Sequence, residues 1–285
     1  MSETSSPLLL STGAEIRAAI LAARSNGETI GLVPTMGALH AGHVSLVRTA
    51  KAECDRVVAT VFVNPTQFGP QEDFNRYPRD LERDRALLAE AGCDWVFAPS
   101  TDEMYPLGSD TMVHVGAAAA EWEGRIRPTH FAGVATVVLK LFNLAPANRA
   151  YFGRKDYQQT VVVRQMVSDL NVPIDIVICP TVREPDGLAM SSRNAYLSPT
   201  ERQHATALRR SLLAAEELVA IGESDVEVIR ARMESVLVDV DHVQYIAFLR
   251  DGAMESVDRI AGPTVIALAA KVGATRLIDN TLVGD

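Results

Sequence analysis

The stretch Gly31-Leu-Val-Pro-Thr-Met-Gly-Ala-Leu-His-Ala-Gly-His43, continuing as Val44-Ser-Leu-Val-Arg-Thr-Ala50, decides how the chain is read. Thr29 to Val33 reads as a short buried strand, with Pro34 expected to bound it. After a turn at Met36-Gly37, the apolar positions Val44, Leu46, Val47 and Ala50 suit one side of a helix beginning near Gly42 or His43. A strand feeding a helix through a glycine turn aims backbone N–H groups and the positive end of the helix dipole at one point, which suits phosphate. His40 and His43 would stand at that helix mouth, and Gly42 leaves no side chain to obstruct a ligand.

The histidine pair has two other readings. Zinc would need further ligands, and no Cys, Asp or Glu stands beside the pair to supply them. A chance pair of surface histidines leaves the strand, turn and helix around it unexplained. The stretch is neither a Walker A loop, which needs Gly-Lys-Ser/Thr, nor the G-x-G-x-x-G dinucleotide fingerprint.

Composition narrows the field. The 285 residues are 47% hydrophobic and 22% charged, enough for one large domain and a smaller one. A net charge of −9, with the Lys and Arg residues scattered, argues against a nucleic-acid partner held through phosphates. Cys54, Cys93 and Cys179 are far apart and odd in number, so they read as buried thiols in a reducing cytoplasm. Met1 to Ser11 holds only a three-Leu run, too short for a signal-peptide core, and no window is apolar enough to span a bilayer.

From the start of the chain, Ser2 to Ser6 is expected as a disordered tip and Thr12 to Ser25 as a helix capped by Thr12. Arg56 to Val63 is an almost unbroken β-branched run, as in a parallel strand covered on both faces. Asp80 to Ala91 reads as a helix, Trp95 to Ala98 as a strand, and Met112 to Val115 as a possible strand within an irregular region. Then come a helix from Phe131 to Leu144, a strand at Ala150 to Phe152, a helix from Tyr157 to Leu170 and a strand at Ile174 to Ile178. Helices at Glu201 to Ala220 and Asp225 to Leu237 precede strands at Val243 to Arg250, Thr264 to Ala270 and Thr275 to Ile278. The fold expected is α/β, a Rossmann-like parallel sheet with helices on both faces over residues 1–185. A smaller C-terminal α/β domain over residues 186–285 is expected to close over the site.

Ligands of open parallel sheets bind beyond the carboxyl ends of the strands, where this chain is polar. After Val63 come Asn64 and Gln67, neutral donor–acceptor groups suited to a small hydroxy acid. After Phe152 come Gly153, Arg154, Lys155 and Asp156, with Gln159 expected one helical turn past Lys155 on the same face. Lys155 is a compact cation for phosphate, and Asp156 can accept from a ribose or steer Mg²⁺. Met190-Ser191-Ser192-Arg193-Asn194 pairs two hydroxyls with a guanidinium that can fork two phosphate oxygens. Asp80 is placed to cap its helix, and Asp84 one turn on is a candidate to hold Mg²⁺ through water.

Pro34-Thr-Met-Gly-Ala-Leu-His-Ala-Gly-His43 resembles the H-x-G-H signature of the nucleotidyltransferase and class I aminoacyl-tRNA synthetase superfamily. In its full length it resembles the pantothenate synthetase (pantoate–β-alanine ligase) family. Phe62-Val-Asn-Pro-Thr-Gln-Phe68, Arg127-Pro-Thr-His-Phe-Ala-Gly133, Lys155-Asp156 with Gln159, and Met190 to Asn194 resemble that family's further segments in order; Leu277-Ile-Asp-Asn280 adds a fainter likeness. Arg154 departs from it, standing where the family has an acidic residue.

The resemblance implies ligation of pantoate with β-alanine through a pantoyl adenylate, with ATP as substrate, Mg²⁺ as cofactor, and a homodimer. It places ATP against Pro34, Met36, Gly37, Ala38, Leu39, His40, Ala41, Gly42 and His43, against Gly153, Arg154, Lys155 and Asp156, and against Val182, Met190, Ser191, Ser192 and Arg193. Asn64, Gln67 and Gln159 would hold substrate, and His43, His40, Lys155 and Arg193 would carry the chemistry. Two other functions stay open: a nucleotidyltransferase of the same superfamily, which needs a second cationic patch, and a non-enzymatic ATP sensor, which does not need Lys155, Gln159 and Arg193 together.

Overall fold

The computed structural model describes residues 6–70 and 72–284, so most of the tip expected at Ser2 to Ser6 lies outside the described residues. In chain order the elements are β1 (Leu8–Leu10), α1 (Gly13–Ser25), β2 (Ile30–Thr35), α2 (Ala41–Glu53), β3 (Arg56–Val61), α3 (Leu81–Glu90), β4 (Trp95–Phe97), α4 (Thr101–Met104) and α5 (Glu123–Ile126). There follow α6 (His130–Leu144), β5 (Arg149–Gly153), α7 (Tyr157–Asp169), β6 (Asp175–Cys179), α8 (Pro199–Ala220), α9 (Val226–Val236), β7 (His242–Arg250), β8 (Thr264–Val272) and β9 (Thr275–Val283). They fall into two compact units. The first runs to Gly153 and includes Val162–Cys179, and the second comprises Arg154–Val161 and the chain from Pro180 onward.

The first unit is built on a six-stranded sheet in the order β1-β4-β3-β2-β5-β6, with every pair parallel. Alternation along the strands decides what covers it. Ile30, Leu32 and Val58 pack with Ile16 and Ile20 of α1 and Val134, Val138 and Leu141 of α6. Val33, Val57 and Ala59 pack on the other face with Val44 and Val47 of α2 and Leu88 of α3. Apolar faces on both sides give the continuous β-branched runs seen in the sequence. From β2 the order proceeds to β3 and β4 on one side and to β5 and β6 on the other. The reversal therefore falls between β2 and β5, where a sheet of this type opens a ligand crevice at its carboxyl edge.

Two expectations need correction here, and one strand goes unannounced by the sequence. Pro34 does not end its strand: it pairs with Thr60 inside β2. Thr35 turns its N–H toward Thr60 of β3, so position 34 faces the β5 side, where the registered pairs stop at Leu32–Ala150 and no ladder donor is required. Leu8–Leu10 is strand β1, paired with β4 from Leu8–Trp95 to Leu10–Phe97. Met112 to Val115 forms no strand; the Val113 N–H goes to the Thr136 hydroxyl of α6 at 2.9 Å.

In the second unit, β7, β8 and β9 form an antiparallel sheet. Ile246, Phe248, Ile266 and Leu268 pack with Leu208, Leu212 and Ala215 of α8 and Ile229 and Met233 of α9. Strand β9 continues past Ile278 to Val283 because Asp279 and Asn280, which break the apolar pattern, are themselves buried.

Candidate active site

The signature occupies the carboxyl end of β2 and the start of α2. Gly37 and Ala38 both take the left-handed conformation, with φ of 81° and 51°. A Cβ on Gly37 would lie 2.9 Å from Asp84 Oδ2 and 3.0 Å from Val61 Cγ1, so the turn requires glycine there. Asp84, 1% exposed, holds the turn: its Oδ2 accepts from Ala38 N at 2.9 Å and its Oδ1 from Leu39 N at 2.8 Å. Burial raises the Asp84 pKa, and these two N–H bonds oppose the rise.

That arrangement alters two expectations. Both oxygens of Asp84 serve the turn, so the residue does not fit the Mg²⁺ role given to it. The backbone N–H groups of the turn are likewise bonded internally. Gly37 N meets Thr35 Oγ1 at 3.1 Å, His40 N meets His43 Nδ1 at 3.4 Å, and Gly42 N meets His40 Nδ1 at 3.1 Å. His40 is the N-cap of α2, and the two histidines close a reciprocal cap with ring centroids 4.1 Å apart. A neutral imidazole accepting at Nδ1 carries its proton on Nε2. Each imidazole of the signature is therefore a donor through Nε2. No acidic residue in the first turn of α2 offsets its dipole.

Beyond β3, Asn64 caps a 3-10 turn over Pro65–Gln67. Asn64 is 1% exposed and its amide is fully engaged. Oδ1 accepts from Tyr105 Oη at 2.8 Å and from the Thr66 hydroxyl at 3.0 Å, while Nδ2 donates to Gln67 Oε1 at 3.1 Å and Gly133 O at 3.2 Å. Asn64 and Gln67, both expected on the substrate, are thus joined side chain to side chain, and the bond orients the Gln67 carboxamide. The Arg127 to Gly133 run, to which local pattern assigns no role, seats the same turn. His130 Nδ1 lies 2.9 Å from Gln67 O, and Arg127 Nη2 reaches that oxygen at 3.4 Å. A Cβ on Gly133 would fall 2.4 Å from Thr66 O, so only glycine lets α6 approach so closely.

In the second unit, Arg154–Asp156 is a 3-10 turn that runs directly into α7, so Lys155 stands in the turn and Gln159 in the first turn of the helix. Lys155 Nζ lies 3.8 Å from Asp156 Oδ1. Gln158 is buried and Gln159 half-buried. Met190 N donates to Val182 O at 3.0 Å, closing the base of the loop between them. Ser191 caps a 3-10 turn over Ser192–Tyr196, its hydroxyl oxygen accepting from Arg193 N at 3.2 Å. Asn194 ties the turn down through Glu184 Oε1 at 2.6 Å and Ala189 O at 3.1 Å.

A doubly covered parallel sheet with paired imidazoles at the helix mouth beyond its central strand defines a Rossmann-like α/β enzyme. Within that class the chain belongs to the Pantoate-beta-alanine ligase family, whose sequence profile matches residues 8–282. It is 53% identical over 277 residues to a pantothenate synthetase of Roseiflexus castenholzii, covering 96% of this chain and 98% of the relative. It is 50% identical to the crystal structure of pantothenate synthetase from Thermus thermophilus, with a TM-score of 0.91 over 96% of this chain and 98% of that one. A pantoate-beta-alanine ligase from Francisella tularensis, complexed with beta-gamma ATP and beta-alanine, is 35% identical, with a TM-score of 0.79 over 97% of each chain.

Proposed function

We propose that this chain uses ATP to join pantoate to β-alanine. The pantoate carboxylate attacks the α-phosphorus of ATP and pyrophosphate leaves. The amine of β-alanine then attacks the carbonyl of the pantoyl adenylate and loses a proton, giving pantothenate and AMP. The observation that carries this reading is the reciprocal cap of His40 and His43, which commits each Nδ1 to the backbone and leaves Nε2 as the proton-bearing nitrogen. A carboxylate approaching a polyanion needs charge stabilisation and alignment more than proton transfer, and two oriented N–H donors at a helix mouth suit that need.

In this reading His43 donates to the phosphate as charge builds and His40 assists. Lys155 and Arg193 neutralise phosphate oxygens, with the Ser191 and Ser192 hydroxyls beside Arg193. Gly153 and Asp156 lie along the nucleotide. Gln67 and Gln159 hold pantoate, and Gln67 also receives the amine. Magnesium accompanies the ATP phosphates; among the described residues no group of three or more His, Cys, Asp or Glu could hold a metal.

The family resemblance supports a homodimer. The three free, buried cysteines fit a reducing cytoplasm, and no helix among the described residues is long and apolar enough to cross a membrane. The direct test of the reaction is product analysis with ATP, pantoate and β-alanine. Pantothenate and AMP in equal amounts are expected; ADP and inorganic phosphate as products would overturn the reading.

A further inference from the structure

Strand β9 carries an anomaly. Asp279 and Asn280 are 2% and 4% exposed, and in the antiparallel register they face Leu268 and Ala267 of β8. Adjacent polar residues persist in such a place only when partners satisfy them, and here the partners come from two loops. Asn280 Nδ2 donates to two consecutive main-chain carbonyls, Arg154 O at 3.0 Å and Lys155 O at 2.9 Å. Asp279 takes the Arg183 guanidinium in a fork, at 2.7 and 3.0 Å. Arg183 Nη2 also reaches Asn280 O at 3.3 Å.

We infer that Asn280 is a positioning residue for Lys155, fixing through two carbonyls the turn from which that ammonium reaches ATP. This rests on the reading of Lys155 as a phosphate-binding group. The turn over Arg154–Asp156 is three residues long and leads directly into α7, so its far end is held by the helix while its start leaves the end of β5. Asn280 Nδ2 supplies the outside reference, and its contacts go to backbone atoms, which makes them indifferent to the side chain at position 154. An arginine can therefore stand where the family has an acidic residue while the turn keeps its place. Asn280 Oδ1 is buried with no hydrogen-bond partner among the described residues, so the amide is held by its donor bonds alone.

The test is a double-mutant cycle of Asn280→Asp with Lys155→Ala, read as kcat and as the KM for ATP and for β-alanine. The aspartate is nearly isosteric but sets a carboxylate oxygen against two carbonyl oxygens. Losing both donor bonds is expected to lower kcat/KM for ATP about tenfold or more, with the KM for β-alanine within about twofold of wild type. In the Lys155→Ala background the same substitution should add little, because the group it positions is gone. Asn280→Ala, run through the same cycle, serves if the aspartate variant does not fold. Additive losses, a silent Asn280→Asp, or equal changes in the KM of every substrate would overturn the inference while leaving Lys155 in its role. An inert Lys155→Ala would overturn the reading of Lys155 and this inference with it.

Discussion

The Nδ1 of His130 lies 2.9 Å from the main-chain carbonyl oxygen of Gln67, across a sequence separation of 63 residues. A carbonyl oxygen only accepts, so Nδ1 carries a proton and donates it to this bond. The contact anchors the backbone of Gln67, while Asn64 Nδ2 sets the angle of its carboxamide. His130→Phe keeps the ring volume and removes the donor. It should raise the KM for pantoate several-fold with a smaller change in the KM for ATP, as steady-state titration of each substrate would show. Gly133→Ala drives a methyl group toward Thr66 O and should act in the same direction, more severely.

Protonation of His130 has a stability consequence. Burial, and after it the nearby Arg127 guanidinium, hold its pKa down at about 4. The unfolded chain takes up this proton near pH 6.5 and the folded chain only near 4, so stability falls as pH drops through that interval. The full interval is worth about 3 kcal/mol. Asp84, whose pKa is raised, has the opposite sign and offsets part of the loss at the acid end. Denaturant midpoints between pH 7 and 4 should fall in the wild type and fall less in His130→Phe.

Asp84 should behave as a structural residue of the signature turn. In Asp84→Asn one acceptor becomes an NH2 group facing a backbone N–H, with Ala38 still in the left-handed region. A buried mismatch of this kind costs about 1–3 kcal/mol. Thermal denaturation should show that loss with or without Mg²⁺. A Mg²⁺-dependent difference in the stability of the free protein would return the residue to metal binding.

The sequence revealed what local patterns encode. The β-branched run beginning at Arg56, the Thr12 cap, and the His40/His43 pair at a helix start all follow from neighbouring residues. Strand β1 was hidden because three residues carry no period, and Pro34 because its missing donor is harmless only once the extent of β5 is known. The supporting side chains were hidden for another reason. Asp84 meets Leu39 from 45 residues away and Asn280 meets Lys155 from 125, and no local pattern marks such pairs. The sequence placed polar groups after the strand ends but left Asn64, His130 and Asn280 without the neighbours that the fold supplies.

In the proposed reaction His43→Ala removes both a donor to the phosphates and the side chain that bonds His40 N. A preorganised donor of this kind is worth roughly 2.7–4 kcal/mol, so kcat for adenylate formation should fall about 10²–10³-fold. Pantoate-dependent exchange of labelled pyrophosphate into ATP reads that step alone. His40→Ala should be less severe on exchange and should also weaken the helix through loss of its cap.

The central claim is a two-step reaction through an adenylate held on the protein. Rapid-quench measurement of pyrophosphate release from Mg²⁺-ATP and pantoate, without and then with β-alanine, tests it most directly. A burst of about one pyrophosphate per site is expected with pantoate alone, becoming continuous turnover when β-alanine is added, with the burst slowed in His43→Ala. ATP that binds tightly yet releases no pyrophosphate under either condition would contradict it.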